Sequence, residues 1–153
     1  METATLPNMD SEMTGITWEQ VQERLRGART YWLATTRADG RPHAMPLWGV
    51  WLDGGLWFGT GLESVKGRNL LRDPRAVVHT ESGDDVVILE GTAVRAEDDA
   101  AYTAYAAKYD MEASAAAFAA LPQVGALFRF TPEIAHTWLE VSFETSRATF
   151  RLA

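Results

Sequence analysis

The residues best suited to chemistry lie in one glycine-rich segment that runs into a predicted helix, residues 59–74. Ser64 is placed to cap that helix, whose first turn would leave backbone N–H groups unpaired at the positive end of the helix dipole. Lys66 adds a point charge, and Arg68 or Arg72 adds a forked donor. Such a helix start can bind a phosphate. Composition alone nevertheless favours the plainer interpretation, a capped surface helix with basic residues facing solvent.

The charge distribution points to the same part of the chain. The formal net charge is −7, which argues against nucleic-acid binding through phosphate neutralisation. Six basic residues nevertheless make residues 37–75 more basic than the rest: Arg37, Arg41, Lys66, Arg68, Arg72 and Arg75. A small anionic ligand therefore remains compatible with this segment, because local charge decides its binding.

The elements that must position this segment begin with one helix and a β-meander. Thr17 and Gln20 form a capping-box pattern that predicts a first helix ending at Gly27. Trp48 and Trp51, three residues apart on a predicted strand, would face opposite sides of it. Turn signals at 38–40 and 53–55 separate three predicted strands: residues 31–36, 44–52 and 56–58.

The second half predicts more strands than helices. Ser64 starts a short helix that ends at Asp73-Pro74, and an alanine-rich helical region covers residues 97–120 with a break near 109–111. Gly91, inside the fifth strand, indicates a bulge or a close backbone approach. The predicted strands are residues 76–80, 86–94, 125–130, 134–141 and 147–152. About eight antiparallel strands with a few flanking helices predict an α+β fold, a split β-barrel.

The expected domain organisation is simple. Residues 1–14 are predicted to be a flexible leader and residues 15–153 one cofactor-binding domain. The chain has no cysteine, and it contains neither an apolar run long enough to span a bilayer nor a signal-peptide pattern. We therefore expect a cytoplasmic protein without a membrane partner.

Two motifs and their order resemble the pyridoxamine 5′-phosphate oxidase-like superfamily, the flavin-binding split barrels. The first, Ala34-Thr35-Thr36-Arg37-x-Asp39-Gly40-x-Pro42-His43-x-x-Pro46-Leu47-Trp48, is similar to that superfamily's first hairpin. The second, Ser64-x-Lys66-x-x-Asn69-Leu70-x-Arg72-Asp73-Pro74-Arg75, is similar to its phosphate-binding stretch. The resemblance covers about residues 17–152. It implies a homodimer with two interfacial cofactor sites, each built from both subunits.

The resemblance also implies roles for individual residues. Four positions would hold the cofactor phosphate: Ser64, the Val65 backbone, Lys66 and Asn69. Five others would contact the rest of the cofactor: Pro46, Leu47 and Trp48 along the ring system, and Thr60 and Gly61 beside the ribityl chain. Trp138 and Arg147, matched by location only, would reach in from the partner subunit.

Within the superfamily, the sequence looks most like the actinobacterial branch that uses the deazaflavin coenzyme F420. The Lys66-x-x-Asn69-Leu70 pattern and the opening of the first hairpin, residues 31–37, carry this likeness. F420 has a lactyl-oligoglutamate tail, for which Arg37, Arg41 and Arg68 are candidate contacts. The implied function is an F420H2-dependent reductase that transfers hydride to a small electron-poor substrate. We name no catalytic residue, because the cofactor performs the difficult step.

Two alternatives stay open. The first keeps the fold with FMN as cofactor, as in an FMN-binding flavoprotein oxidase or reductase; the chain's ending at 150–153 makes vitamin B6 oxidation doubtful because it lacks a tryptophan- and arginine-bearing tail. The second is a non-catalytic carrier of a cofactor or of haem, with His79 as the candidate ligand. His43, His79 and His136 do not match a metalloenzyme motif, so no metal site is predicted.

Overall fold

The computed structural model describes residues 4–7, 16–111 and 125–152. Nine strands and four helices form in these residues, with one 3₁₀ turn at Glu140–Ser142. The strands are β1 Ala4–Pro7, β2 Tyr31–Thr36, β3 Pro42–Leu47, β4 Val50–Leu52, β5 Gly55–Thr60, β6 Arg75–His79, β7 Asp85–Arg95, β8 Ala126–Leu139 and β9 Ala148–Leu152. The helices are α1 Trp18–Gly27, α2 Val65–Arg72, α3 Asp99–Tyr109 and α4 Phe143–Ser146.

All the named strands pair antiparallel in one curled sheet, in the order β1-β9-β8-β7-β6-β2-β3. The first part of β8 also pairs with β5, and β5 pairs with β4. Because β4 follows β3 after only two residues, the sheet curls back on itself at that point. The predicted α+β split barrel is confirmed.

Two predicted strand boundaries were wrong. The stretch predicted as one strand over residues 44–52 is two strands, β3 and β4. The chain bends at Trp48-Gly49, so that β3 pairs with β2 whereas β4 pairs with β5. The strands predicted at 125–130 and 134–141 are one continuous strand, β8. Pro132 lies there at a register shift opposite Glu90 and Gly91, and a bulge tolerates a residue that has no N–H to donate.

Several local predictions are confirmed. The Thr17–Gln20 capping box is present at the start of α1. The turn before β5 has positive φ at Asp53 and Gly54, as a tight hairpin turn requires. At Gly91 an added Cβ would overlap the Thr131 carbonyl oxygen, so the backbone approaches closely there.

Two other predictions concern segments that are only partly described. Helix α3 ends at Tyr109, followed by Asp110 in the left-handed conformation, which agrees with the predicted break; residues 112–120 of the predicted helical region lie outside the described residues. Ala4–Pro7, within the predicted flexible leader, form a strand that pairs with β9. The other positions of that leader to residue 14 also lie outside the described part.

The barrel encloses one large core, and α3 covers a second, smaller one. In the first, α1 contributes Trp18, Val21 and Leu25 against aromatic residues from the strands. The second gathers Trp57 and Leu127 around the tyrosines of α3. The residues of β5 are buried on both faces of the strand. Apolar packing therefore fixes the position of β5, the strand that leads into α2. No helix in the described residues is long and apolar enough to cross a membrane.

Candidate functional site

The turn between β5 and α2 is held by a compact set of hydrogen bonds. The Ser64 hydroxyl oxygen accepts from the Gly67 N–H at 3.1 Å, which is the N-cap bond predicted from the sequence. The same hydroxyl donates to the Gly61 carbonyl at 2.7 Å and lies 3.0 Å from the Thr60 hydroxyl. An added Cβ at Gly67 would overlap the Gly61 carbonyl oxygen, so glycine is required there. Thr60 is fully buried and supports the turn from inside.

Asn69 faces into the protein from α2. It is buried, and its side-chain amide donates to the Thr35 hydroxyl at 3.0 Å, which ties α2 to β2. The Arg72 guanidinium lies 3.5 Å from the Asn69 side-chain oxygen and donates to the Thr36 carbonyl. The role predicted for Asn69 in phosphate binding therefore stays a prediction. Its hydrogen bond to Thr35 gives Asn69 a structural role as well.

Lys66 and the His43 Nδ1 have no hydrogen-bond partner among the described residues. Lys66 is half-buried and makes no hydrogen bond or ion pair to a described residue; its burial lowers its pKa. His43 projects from β3, and its buried Nδ1 likewise has no partner among the described residues. Partial desolvation lowers the pKa of His43, and the charges of Arg37 and Lys66 lower it further. An anion here would pair both groups.

His43 is a candidate site residue that the sequence did not predict. The residue was quoted within the hairpin motif but was interpreted as an ordinary strand histidine. Its position could have been recognised from register, since His43 pairs with Thr35, the residue that bonds to Asn69 of α2. That pairing brings the start of β3 against the first half of α2.

A basic cleft lies beside this anion position. Its volume is about 460 Å³, and it lies between the β2–β3 turn and α2. Its lining includes four arginines, together with Val65 and Asn69: Arg37, Arg41, Arg68 and Arg72. Arg41 pairs with Asp39, whereas Arg68 has no partner among the described residues. The three predicted tail contacts therefore share one cleft.

The residues predicted to lie along the cofactor ring occupy the other end of β3. Pro46 is exposed and Trp48 is 40% exposed, so both can meet a ligand. Leu47 is 9% exposed and belongs to the core, so its side chain supports the strand. A strand rises about 3.3 Å per residue, which separates His43 from Trp48 by roughly 16 Å. This length suits an extended phosphate-to-ring cofactor. We call this candidate cofactor path along β3, from Lys66 and His43 to Pro46 and Trp48, the groove.

Trp138 and Arg147 lie apart from this groove. They line a different cleft, of about 350 Å³, together with His136 and Phe143 on the outer face of the sheet. Within one chain the structure does not bring them to the Lys66 site. Their predicted contribution across a subunit interface stays a prediction.

That outer face carries a row of half-buried side chains across five neighbouring strands. In the strand register each of them pairs with the next one on the neighbouring strand, and together they form what we call the outer row: Trp32 on β2, His79 on β6, Ile88 on β7, His136 on β8 and Thr149 on β9. The outer row therefore combines apolar area with a few polar groups. Within the described residues no three histidine, aspartate or glutamate side chains come together as a metal site.

The family model for pyridoxamine 5′-phosphate oxidase matches residues 17–146. The chain therefore belongs to the pyridoxamine 5′-phosphate oxidase family, and its split-barrel fold agrees with that membership. No curated protein sequence matches the chain.

Solved structures with similar folds come from several bacteria. The conserved hypothetical protein Rv2991 of Mycobacterium tuberculosis is 24% identical, with a TM-score of 0.69 over 82% of this chain and 86% of its own. A haem-binding protein of Mycobacterium smegmatis is 23% identical, with a TM-score of 0.58 over 87% of this chain and 55% of its own. HutZ, the haem storage protein of Vibrio cholerae, is 19% identical, with a TM-score of 0.62 over 76% of this chain and 89% of its own. At these identities the likeness concerns the fold alone.

Proposed function

We propose that this protein is an F420H2-dependent reductase that transfers hydride to a small electron-poor substrate. The observation that carries the proposal is the clustering of basic side chains around α2, of which Lys66 and Arg68 have no partner among the described residues, whereas Arg41 pairs with Asp39. Lys66 and His43 offer one anion position, and the arginine cleft next to it offers a second. FMN has one phosphate, whereas F420 has a phosphodiester followed by a tail of carboxylates. Two adjoining basic positions therefore fit F420 better than FMN.

Each part of the groove has a distinct role in this proposal. Lys66, His43 and the N-terminal N–H groups of α2 bind the phosphate, and Ser64 with Thr60 keeps that helix start in place. Arg37, Arg41 and Arg68 bind the tail. Pro46 and Trp48 bind the ring and exclude water from one side of it. The bound reduced deazaflavin supplies the hydride.

A titration tests the cofactor assignment. Purified protein is titrated with F420, with FMN, and with the deazaflavin 5′-phosphate that lacks the tail. We expect F420 to bind most tightly, and Arg68→Gln to weaken F420 binding about tenfold without changing the affinity for the tail-less phosphate. The matched control is Arg26→Gln, another exposed arginine far from α2. Tight FMN binding, with yellow protein as purified, would instead assign the flavoprotein alternative.

The reductase proposal includes turnover. With F420H2 bound, we expect added enones or quinones to oxidise it. The measurement is the appearance of the absorbance of oxidised F420. If the protein binds F420 but oxidises F420H2 with no member of such a panel, the carrier alternative replaces the reductase.

A homodimer is the second part of the proposal. The outer row of β2, β6, β7, β8 and β9 presents half-buried aromatic and aliphatic side chains, with Phe143 of α4 beside its β8–β9 end. Such a face suits a second copy of the chain, with the cofactor grooves at the interface edges. The substrate surface would then be assembled from two chains.

Haem carriage is a second candidate function, and one observation favours it. The His79 Nδ1 lies 2.7 Å from the Thr80 carbonyl, and its ring stacks against Trp32 with centroids 6.4 Å apart. An imidazole that uses Nδ1 in this way presents Nε2 as a metal ligand. Haem titration tests it: a Soret band that His79→Ala abolishes and His136→Ala retains supports haem carriage. Absence of a saturable Soret change in the unaltered protein excludes it.

A further inference from the structure

The end of β3 remote from Lys66 carries two stacked aromatic rings beside a guanidinium. Trp48 and Tyr109 lie parallel, with an interplanar angle of 1° and centroids 4.3 Å apart. The Arg29 guanidinium lies 5.2 Å from the Trp48 ring centroid and 5.1 Å from that of Tyr109. These distances are within the range of cation–π attraction. We call these three residues the Arg29 platform.

Hydrogen bonds hold the platform in one geometry. The Tyr109 hydroxyl lies 2.7 Å from the Arg29 carbonyl and accepts from the Gly49 N–H at 2.9 Å. The Lys108 ammonium donates to the Gly49 carbonyl at 2.8 Å and to the Tyr31 hydroxyl at 2.9 Å. The end of α3 is thereby fastened to the bend between β3 and β4. Tyr109 is thus fixed in place, and the Trp48 indole stacks on it.

The platform carries positive charge that the described residues do not neutralise. The Arg29 side chain is exposed, and it makes no hydrogen bond or ion pair to a described residue. Lys108 lies 5.3 Å from the Tyr109 centroid and has no acidic partner among the described residues. Burial, and to a smaller extent the charge of Arg29, lower the pKa of Lys108 to about 8. The platform therefore combines a flat ring with a positive local potential.

We propose that the Arg29 platform binds a planar heterocycle carrying delocalised negative charge, with Arg29 as the residue that selects the anionic ring over a neutral one. This inference rests on the proposed function, in which Trp48 contacts the cofactor ring. The deazaflavin ring of F420 bears a phenolic hydroxyl whose anion is delocalised over the ring. A guanidinium beside the stacked indole attracts that anion and gives no comparable advantage to a neutral ring.

The test uses one cofactor in two ring states. The probes are F420 and its ring O-methyl ether, which cannot ionise but keeps the phosphate and the tail. We expect Arg29→Gln to weaken F420 binding about tenfold while changing the affinity for the methyl ether less than twofold. Arg26→Gln, the matched control, removes the same charge from an arginine that bonds to Glu19, and it should change neither affinity.

A second variant tests the positioning by Tyr109. Tyr109→Phe keeps the stacked ring but removes the hydroxyl that joins Arg29 to Gly49. Its F420 affinity should fall about threefold to tenfold, with a change in the near-ultraviolet circular dichroism of the ligand-free protein. If the proposed function itself is wrong, the unaltered protein will bind neither F420 nor the methyl ether. That outcome differs from a failure of the Arg29 inference alone. The inference is overturned if F420 binds and Arg29→Gln weakens both probes equally or neither.

Discussion

At the scale of single residues, the site is defined by polar groups that the fold leaves unsatisfied. The buried His43 Nδ1 has no hydrogen-bond partner among the described residues, and the half-buried Lys66 ammonium has none there either. Buried polar atoms ordinarily find hydrogen-bond partners, since leaving one unpaired costs about 1–3 kcal/mol. The unpaired His43 Nδ1 is explained when a ligand supplies the partner, and the half-buried Lys66 ammonium would pair with an anionic group of that ligand.

Lys66→Ala should weaken cofactor binding without destabilising the protein. The free energy of unfolding should change by no more than about 0.5 kcal/mol, because the folded state already disfavours the charged form of Lys66. Calorimetric titration and chemical denaturation measure the two quantities. Arg75→Ala is the control, since Arg75 is exposed and pairs with Asp73. A large stability loss with unchanged affinity would make Lys66 a structural residue.

Lys108 should make stability rise with pH in a defined window. Its pKa is lowered to about 8 from 10.5, so between these values the unfolded chain holds a proton that the folded chain has released. The free energy of unfolding therefore rises from pH 8 towards 10. Lys66 contributes in the same direction.

Tyrosine ionisation limits that window on the alkaline side. Burial raises the pKa of Tyr31 and Tyr105 above 10, so their contribution to stability is lost as the pH rises further. Urea denaturation at pH 8, 9 and 10 is the measurement. Lys108→Met should show a smaller rise than the unaltered protein, and an equal rise in both would contradict the assignment.

At the scale of elements, the start of α2 depends on close packing against the end of β5. Ser64 caps the helix, and Gly67 allows the first turn to approach the Gly61 carbonyl. Asn69 then fastens the next turn of α2 to β2. The anion position is thus created by the contact of three elements, and no single one of them forms it.

Gly67→Ala should disturb both the fold and the site. The new methyl group overlaps the Gly61 carbonyl oxygen, so α2 must move, at a cost of about 1–3 kcal/mol. Thermal unfolding and cofactor titration should both show a loss. Gly27→Ala, at the end of α1, is the control because an added Cβ there meets nothing within 4 Å. Equal behaviour of the two variants would exclude the packing argument.

At the scale of the whole molecule, the groove and the outer row occupy different parts of one curled sheet. β3 is an edge strand that carries the groove, while the row crosses the strands between β2 and β9. The proposed dimer uses the row and leaves β3 to the ligand. Prolines at both ends of β3, Pro42 and Pro46, disfavour pairing of that edge with another strand.

Ile88→Glu should convert the proposed dimer into a monomer. Ile88 lies in the middle of the outer row, where an unpaired carboxylate would be buried by the second copy. Sedimentation equilibrium measures the mass. Val94→Glu, an exposed position at the other end of β7, serves as the control and should leave the dimer intact. A monomeric unaltered protein would contradict the homodimer proposal directly.

The sequence by itself determined the local structure and the family. The Thr17 capping box, the Asp53-Gly54 turn and the Ser64 cap are set by short-range hydrogen bonding and backbone preference, so adjacent residues suffice to predict them. The order of two motifs was enough to indicate a split barrel. The bend at Trp48-Gly49 and the continuity of β8 through Pro132 escaped prediction, because barrel closure and a bulge depend on partner strands.

Only the tertiary structure decided which polar groups stay unpaired. His43 reaches the site because β3 pairs with β2 while α2 packs on β2, and Arg29 reaches Trp48 because the end of α3 is fastened to the bend after β3. Leu47 and Thr60, by contrast, turn inward and support the groove from behind. Burial and charge pairing are sums over neighbours distant in sequence, so residue spacing along the chain does not contain them.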